Sequence, residues 1–297
     1  MTLTTSNLRK RPVTPHLDIG RWRAMSGPFK VGSVILVVHA IFAVVGMFWT
    51  PYGFAQMATG IPLSGASWQH PMGLDQIGRD VLSRFMYGAH IVLILSFAGT
   101  ILGMVLGTTL GLLSGYLGGW FDEIVQRLVE AMISIPFLAL ALVMIIAAGP
   151  ALAGEPALIV LVVGLVYAPR IARIARAAAM EIATREYVAV AELRGEGTWS
   201  IIFREILPNT ANVLLVEFSL RLSYAPILIG ALGFLGFGIR PPTPEWGLMI
   251  SENRNLLIAS PVTVFGPGLG LASLVIGFNL FTDGLSRMLG QRPVVGA

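Results

Sequence analysis

The chain has 297 residues, 55% of them hydrophobic and only 12% charged, with a mean hydropathy of +0.77. Soluble domains carry about 25% charged residues, so this composition excludes a soluble enzyme and indicates an all-α integral membrane protein. The absence of cysteine excludes disulfides, thiolate metal sites and a cysteine nucleophile, and the formal charge of +4 reflects basic residues sorted by membrane side, not a nucleic-acid surface. With about 20 residues per spanning helix, the length accommodates roughly six spans and leaves no separate soluble domain.

Residues 1–30 carry Arg9, Lys10, Arg11, Arg21, Arg23 and Lys30 against the single acid Asp18. No small-residue cleavage site follows the first apolar run, so this stretch reads as a retained cytoplasmic tail, partly an interfacial helix. Residues 31–49 form the first span, closed at the interface by Trp49 and Pro51, and His39 within it reads as a packing histidine. In 50–87 the acids Asp75 and Asp80 balance Arg79 and Arg84, as suits an external loop. Residues 77–86 have the pattern of an amphipathic helix lying along the membrane surface. Two roles fit Asp75, Arg79 and Asp80: ion pairs that fix the loop, or contact with substrate.

The second span, 89–114, has glycine at 99, 103, 107, 111 and 115. Every fourth position lies on one helix ridge, and a bare ridge lets another backbone come close. Static packing and a sliding surface both fit that feature. Residues 120–148 supply the third segment, amphipathic in its first half and kinked at Pro136. A short external turn at 149–156 leads to residues 157 to about 168, which begin the fourth span, and after Pro169 the residues Arg170, Arg173 and Arg176 form a basic stripe at helical spacing where the helix leaves the membrane. The fifth span, 211–233, is broken by Pro226 and carries Glu217 and Arg221 on one face. An intramembrane ion pair is a functional candidate by default. Here it either lines a translocation path or packs against a partner and fixes helix register. Residues 236–260 form a second external loop, stiffened by Pro241 and Pro242 and containing Trp246, before the last span at 262–281.

One polar stretch, 184–208, interrupts this apolar pattern on the basic side. Residues 186–193 read as a short amphipathic helix with Tyr187, Val190 and Ala191 on one face. Gly195 and Gly197 allow a sharp turn, since glycine tolerates positive φ. A second short helix from Trp199 is ended or redirected by Pro208. Two short helices and a glycine turn make a knob that can sit in a partner's groove. Arg170, Arg173, Arg176, Arg185, Arg194 and Arg204 flank or occupy this side, whereas the external arginines each have nearby acids. The positive-inside rule then places both termini in the cytoplasm.

The chain's lysines are Lys10 and Lys30, and neither belongs to a Gly-x-x-x-x-Gly-Lys-Ser/Thr loop, so ATP must be hydrolysed on another polypeptide. The histidines, His16, His39, His70 and His90, form no His-Glu-x-x-His, and no serine sits in a nucleophile-elbow pattern. No catalytic, cofactor or metal residues are assigned.

The 184–208 stretch resembles the EAA loop of ABC-importer permeases, with Ala191, Gly195, Ile206, Leu207 and Pro208 matching that pattern. The motif's glutamate falls on Ala189, which leaves Glu186 and Glu192 as the acids available to replace it. The runs Gly73-Leu-Asp75, Gly78-Arg-Asp80, Leu82-Ser-Arg84 and 238–247 resemble the signature of the dipeptide/oligopeptide/nickel branch. Leu74 stands where that branch has threonine, and Ile229 where it has an acid. The resemblance covers 31–290, between tails at 1–30 and 291–297. It implies the type I importer permease fold in a bacterial inner membrane, with cytoplasmic coupling helices. The implied partners are a second homologous permease in a heterodimer, two ATPases carrying ATP and magnesium, and an external substrate-binding protein. Glu186, Tyr187, Ala189, Ala191, Gly195, Ile206, Leu207 and Pro208 would couple to the ATPase. The implied cargo is a di- or oligopeptide, with a nickel chelate as the alternative within the branch. A self-sufficient channel or secondary transporter is the rival class, and it would function without partners.

Overall fold

The computed structural model describes residues 27–288. Among them regular structure is helical, apart from one isolated antiparallel bridge between Leu74 and Asp80. The expectations for the two tails lie largely outside the described residues.

Among the described residues, five helices are long and apolar enough to cross a membrane. They are α1 (Gly27–Phe48), α2 (Val81–Leu117), α5 (Pro156–Ala183), the continuous helix Thr198–Phe234 and α10 (Val262–Met288). The pair α3 (Gly119–Ser134) and α4 (Phe137–Ala148), which meet at 99°, is long and apolar enough together to make a sixth span or a re-entrant hairpin. The long Thr198–Phe234 helix comprises α7 (Thr198–Ile201), a π-helical turn (Ile202–Ile206) and α8 (Leu207–Phe234). Two shorter helices lie outside the spans: α6 (Glu186–Leu193) and α9 (Trp246–Asn253).

The glycine ridge organises the packing. A Cβ at Gly103 would lie 3.0 Å from the Gly164 oxygen, at Gly107 2.6 Å from that of Ala168, and at Gly115 2.6 Å from that of Arg176. At Gly111 the Ala172 oxygen is closer still. Successive turns of α2 therefore lie directly on successive turns of α5. In lipid, where water does not drive helices together, such backbone proximity maximises dispersion contacts. A core of Ile159, Val162, Val166, Leu228, Ile229 and Leu232 then joins α5 to α8.

Several sequence expectations are corrected. Residues 77–86 do not form a separate surface helix: Asp80 caps α2, accepting from the Ser83 amide at 2.7 Å, and the helix runs on into the span. The fourth span, begun at 157–168, runs on as one helix: α5 continues through Pro169 and the arginine stripe to Ala183. Pro226 does not break the fifth span. Pro169 and Pro226 are buried, so neighbouring helices hold their turns together, whereas Pro136 is exposed and follows Ile135 in an extended conformation (ψ 130°). Proline disfavours the helical region for the residue before it, and without packing to oppose that preference the helix breaks. Pro208 neither ends nor redirects its helix. It sits in the first turn of α8, where a missing amide hydrogen is tolerated, immediately after the wider π turn. Finally, the loop 236–260 contains α9.

Candidate functional site

The polar stretch at 184–208 folds as a compact knob. Val188 and Ala191 of α6 are fully buried against Ile201, Ile202 and Ile206, and the same cluster includes Leu112 of α2 and Ala175 and Ala179 of α5. Tyr187 and Val190 point outward, so the expected shared face divides: Ala191 belongs to the inner side, with Val188 as its partner. Gly195 has φ +75° and makes the turn. Gly197, by contrast, has φ −71° and serves as the N-cap position of α7, which needs no glycine-only geometry. Arg194 and the Ser200 hydroxyl hold the Glu196 carboxyl below its usual range and brace the turn at 2.6 and 2.9 Å.

The knob is tied to the spans at a second point. The Tyr116 hydroxyl, at the C-terminal end of α2, donates to Glu192 at 2.9 Å. Glu186 and Ala189 are exposed, as is Pro208, while Ile206 is fully buried and Leu207 partly so. What remains outside is an apolar row: Tyr187, Val190, Leu193 (88% exposed), Trp199 and Phe203, with the last two rings stacked 5.8 Å apart. Large exposed apolar side chains in one place mark a binding surface.

At the opposite end of the spans a buried charge cluster joins the 50–80 loop to the 236–260 loop. Asp75 accepts from the Ile77 and Arg79 amides and from Arg79 Nε at 2.5 Å. Arg79 and Arg84 both donate to one oxygen of Glu252, at 2.9 and 2.7 Å. Asp80 completes its helix cap with the Ser83 hydroxyl and holds His70 Nδ1 at 2.9 Å. Asp75, Asp80 and Arg84 are each 1% exposed. Trp246 is fully buried, stacked on Phe85 at 4.9 Å, and its indole donates to the Phe85 carbonyl. Glu245 caps α9 through the Gly247 and Leu248 amides, and burial pushes its carboxyl up to about 7 against the pull of those two donors. Pro241 and Pro242 remain exposed at the loop tip. Sequence reasoning missed Glu252 and Glu245. The first pairs across 168 residues with Arg84, a separation that carries no periodic signal.

Midway along α8, Arg221 Nε donates to Glu217 at 2.5 Å; the acid is 3% exposed and Arg221 lines a cavity. His39 contacts the Ile35 carbonyl, the Gly270 carbonyl and the Ser273 hydroxyl, which accounts for both ring nitrogens by packing contacts. Ile229, in the place of the branch's acid, is 1% exposed within the apolar core. Among the described residues no three His, Asp or Glu side chains gather into a metal site.

With this geometry in place, the chain can be compared with known proteins. Residues 107–295 match the family described as binding-protein-dependent transport system inner membrane component. The chain is 39% identical over 287 residues to the dipeptide transport system permease protein DppC of Escherichia coli, covering 95% of this chain and 94% of that one. It is 36% identical to the Haemophilus influenzae protein of the same description, covering 95% and 96% of the two chains. It is also 36% identical over 228 residues to the glutathione transport system permease protein GsiD of Pectobacterium atrosepticum, covering 77% and 74%. Among solved structures, a chain of the MetNI methionine ABC transporter superposes with a TM-score of 0.54 at 22% identity, covering 69% of this chain and 95% of that one. That superposition shows the type I permease fold. The chain therefore belongs to the binding-protein-dependent transport system inner membrane components, as a permease subunit of an ABC transporter.

Proposed function

We propose that this chain forms one half of the translocation path of an ATP-driven importer for di- or oligopeptides. Its other half would be a second, homologous permease. Two cytoplasmic ATPases would bind ATP and magnesium, and an external binding protein would deliver the cargo. The observation that carries this reading is the apolar row on a knob clamped to α2 and α5, at the inner ends of two backbone-packed spans. A push on α6 is thereby passed to α2 and α5 together. Closure of the ATPase pair around ATP would rock the spans outward-open, and hydrolysis would return them. Such a cycle needs each state to bind its ligands differently, since a ligand without preference shifts nothing. The peptide assignment is supported by the dipeptide and glutathione permeases to which the chain is similar. In this reading both termini are cytoplasmic, and the Asp75, Arg79 and Asp80 cluster fixes the external loops to each other.

The test is purification of the tagged chain from its native membrane, with mass spectrometry of what accompanies it. Reconstitution and a labelled-dipeptide uptake assay with ATP follow. A second permease, two ATPases and ATP-dependent uptake are expected. A chain that purifies alone and moves solute unaided would make it a self-sufficient transporter and overturn the proposal.

A further inference from the structure

The cavity beside Arg221 brings two arginines and two tyrosines together between the spans. Its volume is about 180 Å³, and its walls are Phe137 of α4, Tyr167 and Arg170 of α5, and Arg221, Tyr224 and Ile227 of α8. Residue 167 lies about 16 Å and residue 170 about 21 Å along α5 from its outer end, at roughly 1.5 Å per residue. Arg221 lies about 20 Å from the outer end of α8 on the same rise. Against a hydrocarbon core of about 30 Å, all three sit well below the outer surface. α5 continues for thirteen residues beyond Arg170 and carries the whole basic stripe of Arg170, Arg173 and Arg176.

The cavity carries unmatched polarity of one sign. Arg221 is paired through Nε with Glu217, but Arg170 makes no ion pair among the described residues. Two guanidinium groups thus share one carboxylate, leaving a surplus of one positive charge. The Tyr167 hydroxyl adds a second, independent mark. Tyr167 is 3% exposed, and its oxygen is buried without a hydrogen-bond partner. A buried hydroxyl left unpaired is unfavourable, and an unpaired guanidinium facing acyl chains is more so. This side of α5 and α8 therefore faces water or protein, and not lipid. Tyr224, half-exposed, forms the open edge.

We infer that this cavity is a carboxylate-binding station within the permease, in which Arg170, Arg221 and the Tyr167 hydroxyl receive the C-terminal carboxylate of a passing peptide. A guanidinium fork matches a carboxylate in a bidentate manner, and the tyrosine supplies a neutral donor alongside. The volume admits such a terminus, and the cavity is open at Tyr224, so the rest of the peptide can extend out of it. This inference rests on the peptide-import reading above. The same chemistry has a second source, an acidic side chain of the neighbouring permease, and the experiment separates the two.

The assembled importer, with its binding protein, is reconstituted and its uptake of a labelled dipeptide is measured per ATP hydrolysed. Arg170→Gln should lower that ratio about tenfold, the effect of losing one charge-assisted hydrogen bond, and Arg170→Lys should recover part of it. Tyr167→Phe, which keeps the ring and its packing, should lower the ratio several-fold. In each variant the binding protein should still stimulate the ATPase, and the second permease should still co-purify. Unchanged uptake in both Arg170→Gln and Tyr167→Phe overturns the station. Loss of the second permease from the Arg170→Gln complex also overturns it, by assigning the carboxylate to the partner. A parent complex that imports no peptide refutes the cargo reading itself, before any variant is compared.

Discussion

Removing Glu252 should destabilise the half of the molecule that holds the charge cluster more than its partial exposure suggests. Its carboxylate is the close partner of Arg84, whose only other acid among the described residues, Asp75, is 3.9 Å away. The Arg84 side chain is 1% exposed, and one of its terminal nitrogens already lacks a hydrogen-bond partner. Breaking a buried pair by removing one member costs about 3–5 kcal/mol. Glu252 keeps 16% exposure and Arg79 retains Asp75 at 2.5 Å, so the lower end applies, about 3 kcal/mol for Glu252→Leu. Replacing both members by apolar groups of similar volume is often neutral. Glu252→Leu combined with Arg84→Met should therefore recover most of the loss, a coupling of about 2 kcal/mol. The assay is thermal unfolding of the purified complex in detergent, followed by size-exclusion fluorescence, for the parent, both single variants and the double. Additive losses, or a Glu252→Leu variant as stable as the parent, would refute the idea that the cluster is a mutually dependent buried network.

Three further outcomes are expected. Gly111→Ala should push α2 from α5 and reduce thermal stability by about 1–3 kcal/mol, whereas Gly197→Ala, with nothing within 4 Å and φ −71°, should leave it unchanged. Burial raises the Glu245 carboxyl from its ordinary 4.5 to about 7, so the folded state holds its proton more tightly than the unfolded chain. This contribution is fully present below about pH 4.5 and is lost as pH rises through about 7. Unfolding at a series of pH values should show the parent declining across that window relative to Glu245→Gln; parallel curves would contradict it. Leu193→Asp should leave the helices intact by circular dichroism but abolish co-purification of the ATPases, because Leu193 is 88% exposed on the knob and supports no internal packing.

Local regularities were readable along the chain. Apolar runs of sufficient length identified the spans, and a four-residue glycine period identified the ridge of α2 that lies on α5. The range 186–193 and the turn at Gly195 were likewise legible, since helix pattern and positive φ are properties of adjacent residues. The kink at Pro136 was legible, but the continuity at Pro226 was not: Pro136 breaks a helix while Pro169 and Pro226 do not, and the difference is whether neighbouring helices enclose the turn. The inner face of α6 also required the fold, because Val188 and Tyr187 are both apolar and only the positions of Ile201 and Ile206 decide which is covered. Asp75, Arg79 and Asp80 could be named from sequence, but Glu252 joins them from a distant helix. Arg170 and Arg221, read separately as a topological mark and an ion pair, face one cavity only because α5 and α8 pack side by side. Periodicity reports which residues share a face of one helix. Which faces meet is settled by packing across the whole membrane domain, where the requirement to pair every buried charge brings distant residues together.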